Sequence, residues 1–154
     1  MICITSKIMV NSPVRKVWNV ISAIERDPIF WKGMARVRNM SQNGNMFTRE
    51  VTLNNSDKCY QKIILFPMEG IHSRWIRGTL MGIKDIMITQ IGNQTLLEVE
   101  INYTLKGITQ LRSRSISEEL RNESELALQL IKEDVEEILP FQMEERKQWS
   151  DMII

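Results

Sequence analysis

Histidine occurs once in this sequence, as His72, and cysteine twice, as Cys3 and Cys59, which stand neither in a C-x-x-C spacing nor beside histidine. A zinc or iron–sulfur site therefore has no ligand set to draw on, and two such distant thiols read as reduced and packed rather than bridged. Ser-His-Asp and Cys-His chemistry both need an imidazole beside the nucleophile. His72 has the opposite strand parity from Ser73 and Trp75, so it is expected on the solvent side of its strand. A glycine-rich phosphate loop and an H-E-x-x-H run are also missing, which leaves nucleotide chemistry and metal-dependent hydrolysis without support. No catalytic constellation is visible, and no metal or cofactor is implied.

Charge of one sign is lacking too. Twenty Lys and Arg face nineteen Asp and Glu, for a formal net charge of +1, so no global field draws the chain to a polyanion. Arg36 and Arg38 share a strand face, but no interleaved aromatics accompany them, and nucleic acid is not an expected partner. Every apolar run is interrupted by Lys, Arg, Asp or Glu before it reaches the roughly 18 to 20 residues that cross a bilayer. The N-terminus enters a strand-like pattern at once instead of an export signal, and a cytoplasmic protein is expected.

What is present is one well-patterned core. A chain of 154 residues with 43% hydrophobic content suits a single domain, expected over 1–139, with a tail at 140–154 that either frays or docks on the domain or on a second copy as a homodimer. Ile2 to Val10 reads as a strand. Asn11-Ser12-Pro13 offers a cap followed by proline at the first helical position, with Val14, Val17, Trp18 and Ile21 as the buried stripe. Asp27-Pro28 repeats that start for a second short helix containing Phe30 and Trp31.

Strand patterns then follow at Ala35 to Ser41, Met46 to Leu53, Lys58 to Phe66, Ile71 to Arg77, Lys84 to Ile91 and Gln94 to Leu105, with Asn43-Gly44 and Gly92-Asn93 as hairpin turns. The last strand is the clearest: Leu97, Val99, Ile101, Tyr103 and Leu105 alternate with Glu98, Glu100, Asn102 and Thr104, which places the two glutamates in water. Ser115 with Glu118 reads as a capping box opening a long helix that runs to about Leu139. Its apolar stripe is Ile116, Leu120, Ser124, Ala127, Ile131, Val135 and Ile138, and the small residues in the middle leave room for a cavity or a close contact.

The order strand, two short helices, six strands and a long C-terminal helix resembles the helix-grip fold of the START and pollen-allergen superfamily, especially its polyketide cyclase/dehydrase and lipid-transport branch. Asn11-Ser12-Pro13 leading into Val17-Trp18, Asp27-Pro28 with Phe30-Trp31, Arg77-Gly78, and Gly92-Asn93 before the alternating strand carry the resemblance, which covers nearly all of 2–139. It implies an α+β architecture: a seven-stranded curved antiparallel sheet wrapped around the long C-terminal helix, two short helices after the first strand, and an apolar cavity between sheet and helix.

Strand parity and the helix stripe then nominate ligand-binding residues. These are Ser73, Trp75, Arg77, Ile86, Ile88, Val99, Ile101 and Tyr103 from the sheet, and Leu120, Ser124, Ala127 and Ile131 from the helix. Trp31 and Met34, at the junction after the second helix, are candidates for the entrance; the alternative is that Phe30 and Trp31 anchor the short helices to the sheet. Tyr103 and Ser73 supply polar contacts to a ligand, and Arg77 a partner for an anionic head group; a filled core and a surface ion pair are the competing readings. The expected function is binding or transport of a hydrophobic small molecule, a lipid, isoprenoid or polyketide. A cyclase/dehydrase-type enzyme and a co-chaperone-like partner-binding module are the alternatives.

Overall fold

The structure is a computed structural model and describes residues 1–105 and 110–137. Its strands are β1 (Ile2–Val10), β2 (Met34–Asn43), β3 (Met46–Leu53), β4 (Lys58–Phe66), β5 (Gly70–Arg77), β6 (Leu80–Ile91) and β7 (Gln94–Leu105). Between β1 and β2 come α1 (Val14–Ile21), a single 3-10 turn (Ile24–Arg26) and α2 (Asp27–Phe30), and the long helix α3 spans Gln110–Val135. The strands form one antiparallel sheet in the order β1-β7-β6-β5-β4-β3-β2, curved and open, with α3 against its inner face.

Burial alternates with a period of two along β1 and β7, whereas β2 is exposed along most of its length. On β1, Ile2 and Ile4 are buried while Cys3 and Thr5 are exposed; on β7, Leu97, Val99, Ile101 and Tyr103 are buried between wetter neighbours. One face of the sheet is therefore dry, and α3 covers it with Ser124, Ala127, Leu128, Ile131 and Val135, all at most 3% exposed. Leu128 belongs to that stripe although the sequence pattern did not single it out. Lys132 fixes the helix along β1 by donating to the Met9 carbonyl at 2.7 Å, and it pairs with Glu136 one turn on at 2.7 Å. The β6–β7 hairpin closes through Gly92-Asn93, where Gly92 takes a φ of 58° that suits a tight turn.

Several boundaries differ from the sequence expectation. α3 starts at Gln110, so Ser115 and Glu118 lie inside the helix and the capping box does not open it. No glycine or proline stands between Gln110 and Ser115 to stop a helix whose far end is already packed. Pro13 is the N-cap of α1 with extended geometry rather than its first helical residue, and no side chain caps that end. Asp27 is the first residue of α2 rather than its cap, because its carboxylate is committed to Arg49. Trp31 is the C-cap of α2, not a helical residue. The first hairpin turns through Gly44-Asn45, one residue later than expected, and β6 begins at Leu80, four residues before Lys84. Cys3 is exposed rather than packed, and Cys59 is buried. The expectations for Ile138, Leu139 and the tail at 140–154 lie outside the described residues.

Candidate functional site

The sheet and α3 do not meet completely. Where β5, β6 and β7 approach the N-terminal half of α3, a half-open cavity of about 310 Å³ remains. Its walls are Trp75 from β5, Leu80 and Lys84 from β6, Ile101 and Tyr103 from β7, and Glu119, Leu120, Glu123 and Ser124 from α3. Trp31, Gly33, Met34, Leu53, Asn54 and Asn55 complete it.

Three local features keep this space open. Ser124 is fully buried and turns its hydroxyl back on its own helix, donating to the Leu120 carbonyl at 2.8 Å, so it presents a short side chain with no outstanding donor. Gly82 lies in register between Trp75 on one side and Tyr103 on the other. With no side chain between them, the two rings meet edge to face, 6.4 Å apart. Gly82 adopts a φ of 125°, and a Cβ there would stand 2.0 Å from the Asn102 carbonyl oxygen, so the position admits no other residue without displacing β7. At the rim, Gly33 donates its backbone N–H to Glu123 at 3.0 Å, which ties the segment after α2 to α3.

Polar side chains sit among these apolar walls. Lys84 is 4% exposed and rests its ammonium on the Trp31 ring, 3.6 Å from the centroid. Burial pushes its pKa down to about 8, against the opposing pull of Asp27 and Glu123; Arg49 pushes in the same direction as burial. Among the described residues its ammonium has no hydrogen bond and no ion pair. Burial holds the Tyr103 phenol well above the usual tyrosine range, with the neighbouring Trp75 N–H acting the other way, so the hydroxyl keeps its proton. The Trp75 indole nitrogen is itself buried without a well-formed hydrogen bond.

Beside the cavity, Arg49 is 1% exposed and fully engaged. It donates from Nε to Gln61 Oε1 at 2.9 Å, from Nη1 to the Ile24 carbonyl at 2.8 Å and from Nη2 to Asp27 Oδ2 at 2.7 Å. This guanidinium clamps the 3-10 turn and α2 onto β3 and β4, and so sets where Trp31 lies.

Of the residues nominated from sequence, the structure brings Trp31, Met34, Trp75, Ile101, Tyr103, Leu120 and Ser124 together around the cavity. Ser73, Ile86, Ile88, Val99, Ala127 and Ile131 are buried in the core but are not among its lining residues. Arg77 is placed elsewhere. It is exposed and stacks over Tyr60 at 5.9 Å. The reason is a bulge: Trp75 pairs with Gln61 and Arg77 with Tyr60, so the extra residue, Ile76, turns Arg77 to the outer face. His72 is on the outer face as expected, paired across strands with Asp85 at 2.6 Å. Lys84, Arg49, Gln61 and Glu123 were not nominated. The first three have the in-facing parity of Ile86, Val51 and Ile63, and a polar residue at an apolar parity position was the available signal.

The architecture is a helix-grip fold, a curved antiparallel sheet against a long C-terminal helix. No family model matches the sequence, and no curated protein matches it. Solved structures do. The Zhui aromatase/cyclase from Streptomyces sp. R1128 aligns over 87% of this chain and 93% of its own, with a TM-score of 0.72 at 12% identity. TTHA0849 from Thermus thermophilus aligns over 86% and 96%, with a TM-score of 0.75 at 11% identity. A START superfamily protein from Mycobacterium smegmatis aligns over 90% and 100%, with a TM-score of 0.66 at 13% identity. Among the described residues no helix is long and apolar enough to cross a membrane.

Proposed function

We propose that this protein binds a hydrophobic small molecule in the cavity between the sheet and α3. The observation that carries the reading is the half-open space of about 310 Å³, walled largely by Trp31, Met34, Leu80, Trp75, Ile101 and Leu120. That volume lies at the small end of ordinary ligand sites, so it suits a compact lipid, isoprenoid or polyketide fragment rather than a large one. Burying about 200 Å² of apolar ligand surface contributes roughly 5 kcal/mol before the costs of association, which points to modest affinity. Native mass spectrometry of the purified protein and titration with a fluorescent lipid test it. Uptake by the wild type that falls in Trp75→Ala is the expected result; no uptake by the wild type overturns the reading.

A cyclase-type activity is the second reading, and the placement of Tyr103 favours it. A phenol that holds its proton, in a cavity whose wall also carries an ammonium, is suited to donate to a developing enolate oxygen. In that case Tyr103→Phe loses turnover of a polyketide substrate while keeping its binding. Equal turnover in the two proteins removes Tyr103 from the chemistry.

A further inference from the structure

Lys84 is the feature that apolar binding leaves unexplained. An ammonium has three donors and ordinarily avoids burial without partners. Here it is 4% exposed, touches the face of Trp31, and has no acceptor among the described residues. Arg49, equally buried, shows how this fold satisfies a cation when the protein itself supplies the partners: Gln61, the Ile24 carbonyl and Asp27 all face it. Lys84 has no such set, and among the described residues it is the only cation lining the cavity. The acidic groups on the other side belong to α3, where Glu119 is exposed and Glu123 already accepts from Gly33. The cavity is thus cationic on the sheet side and acidic at its helical rim.

Resting on the small-molecule reading above, we infer that the ligand is an amphiphile carrying a carboxylate, which pairs with Lys84 while its apolar body lies against Leu80, Ile101 and Leu120. The negative rim turns such a molecule head-inward, because the head is repelled by Glu119 and Glu123 and drawn to Lys84. Trp31 holds the ammonium in place from its other side, so little ordering remains to be done on binding.

Isothermal titration with decanoate, decanol and decylamine tests this on the intact protein. Decanoate is expected to bind at least about tenfold more tightly than decanol, the least that a charged hydrogen bond contributes. Lys84→Met is expected to erase that preference, so that decanoate no longer binds more tightly than decanol, with circular dichroism confirming that the variant is folded. A second measurement needs no variant. Lys84 faces Asp27 from α2, Arg49 from β3, Tyr103 from β7 and Glu119 and Glu123 from α3, and it loses its proton near pH 8. Wild-type affinity for decanoate should therefore fall as pH rises above about 8, while affinity for decanol stays level. Equal affinity for decanoate and decanol, or tighter binding of decylamine, overturns the head-group assignment and leaves the apolar pocket standing. Failure of all three to bind overturns both.

Discussion

Arg49 shows what one fully satisfied buried charge does in this fold. Its three hydrogen bonds join β3, β4, the 3-10 turn and α2, and removing it strands the Asp27 carboxylate and the Ile24 carbonyl in a dry place. Arg49→Leu is expected to cost about 3–5 kcal/mol in urea unfolding, more than most core truncations of similar size. Lys84 is the opposite case, a charge retained without protein partners. Its folded pKa of about 8 lies below the ordinary 10.5, so between those values the unfolded chain binds the extra proton and stability rises with pH. The gain is about 3 kcal/mol on that shift. Tyr103 works against it from about pH 10 upward, because the unfolded phenol ionises there while the folded one stays protonated. Wild-type stability measured by denaturant titration should thus climb from about pH 8 and turn over near pH 10, and Lys84→Met should lack the climb.

At the scale of elements, the cavity depends on two residues chosen for what they lack. Ser124→Leu places a branched side chain into the space facing Trp75 and Lys84. Since the serine hydroxyl is bonded only within α3, the change should cost less than about 1.5 kcal/mol while sharply reducing fluorescent-lipid uptake. Ala127 is fully buried and does not line the cavity, so a bulky residue there would overpack the junction of α3 with the sheet instead of filling the site. Gly82→Ala combines a left-handed backbone with a clash against Asn102, and a loss of about 3 kcal/mol or more is expected in thermal melts.

These elements also show how far the sequence could be read. The strands were legible because alternation on β1 and β7 is nearly unbroken, and the starts of β1, β3, β4 and β7 are the expected ones, with those of β2 and β5 one residue earlier. The starts of β6 and α3 were not, since Gly78, Gly82 and the Ser115–Glu118 pair look like local boundaries until packing on both sides overrides them. Arg77 was misplaced by a bulge that leaves no mark in composition. Lys84 was legible in principle, two residues before Ile86, but a lone charge in a strand ordinarily means the wet face.

For the molecule as a whole, the order of the sheet matters more than any single contact. β1 pairs along its entire length with β7, from Ile2 against Tyr103 to Val10 against Thr95, whereas β2 to β7 are joined each to the next. The earliest of these strands to be synthesised is thereby the last to find its neighbour. Until Gln94–Leu105 has been made, an apolar N-terminal ribbon has nowhere to go, and the loop that must be closed spans most of the domain. Translation must also deliver α3 before the chamber has a roof, so a nascent chain paused before Gln110 has no site to offer a ligand.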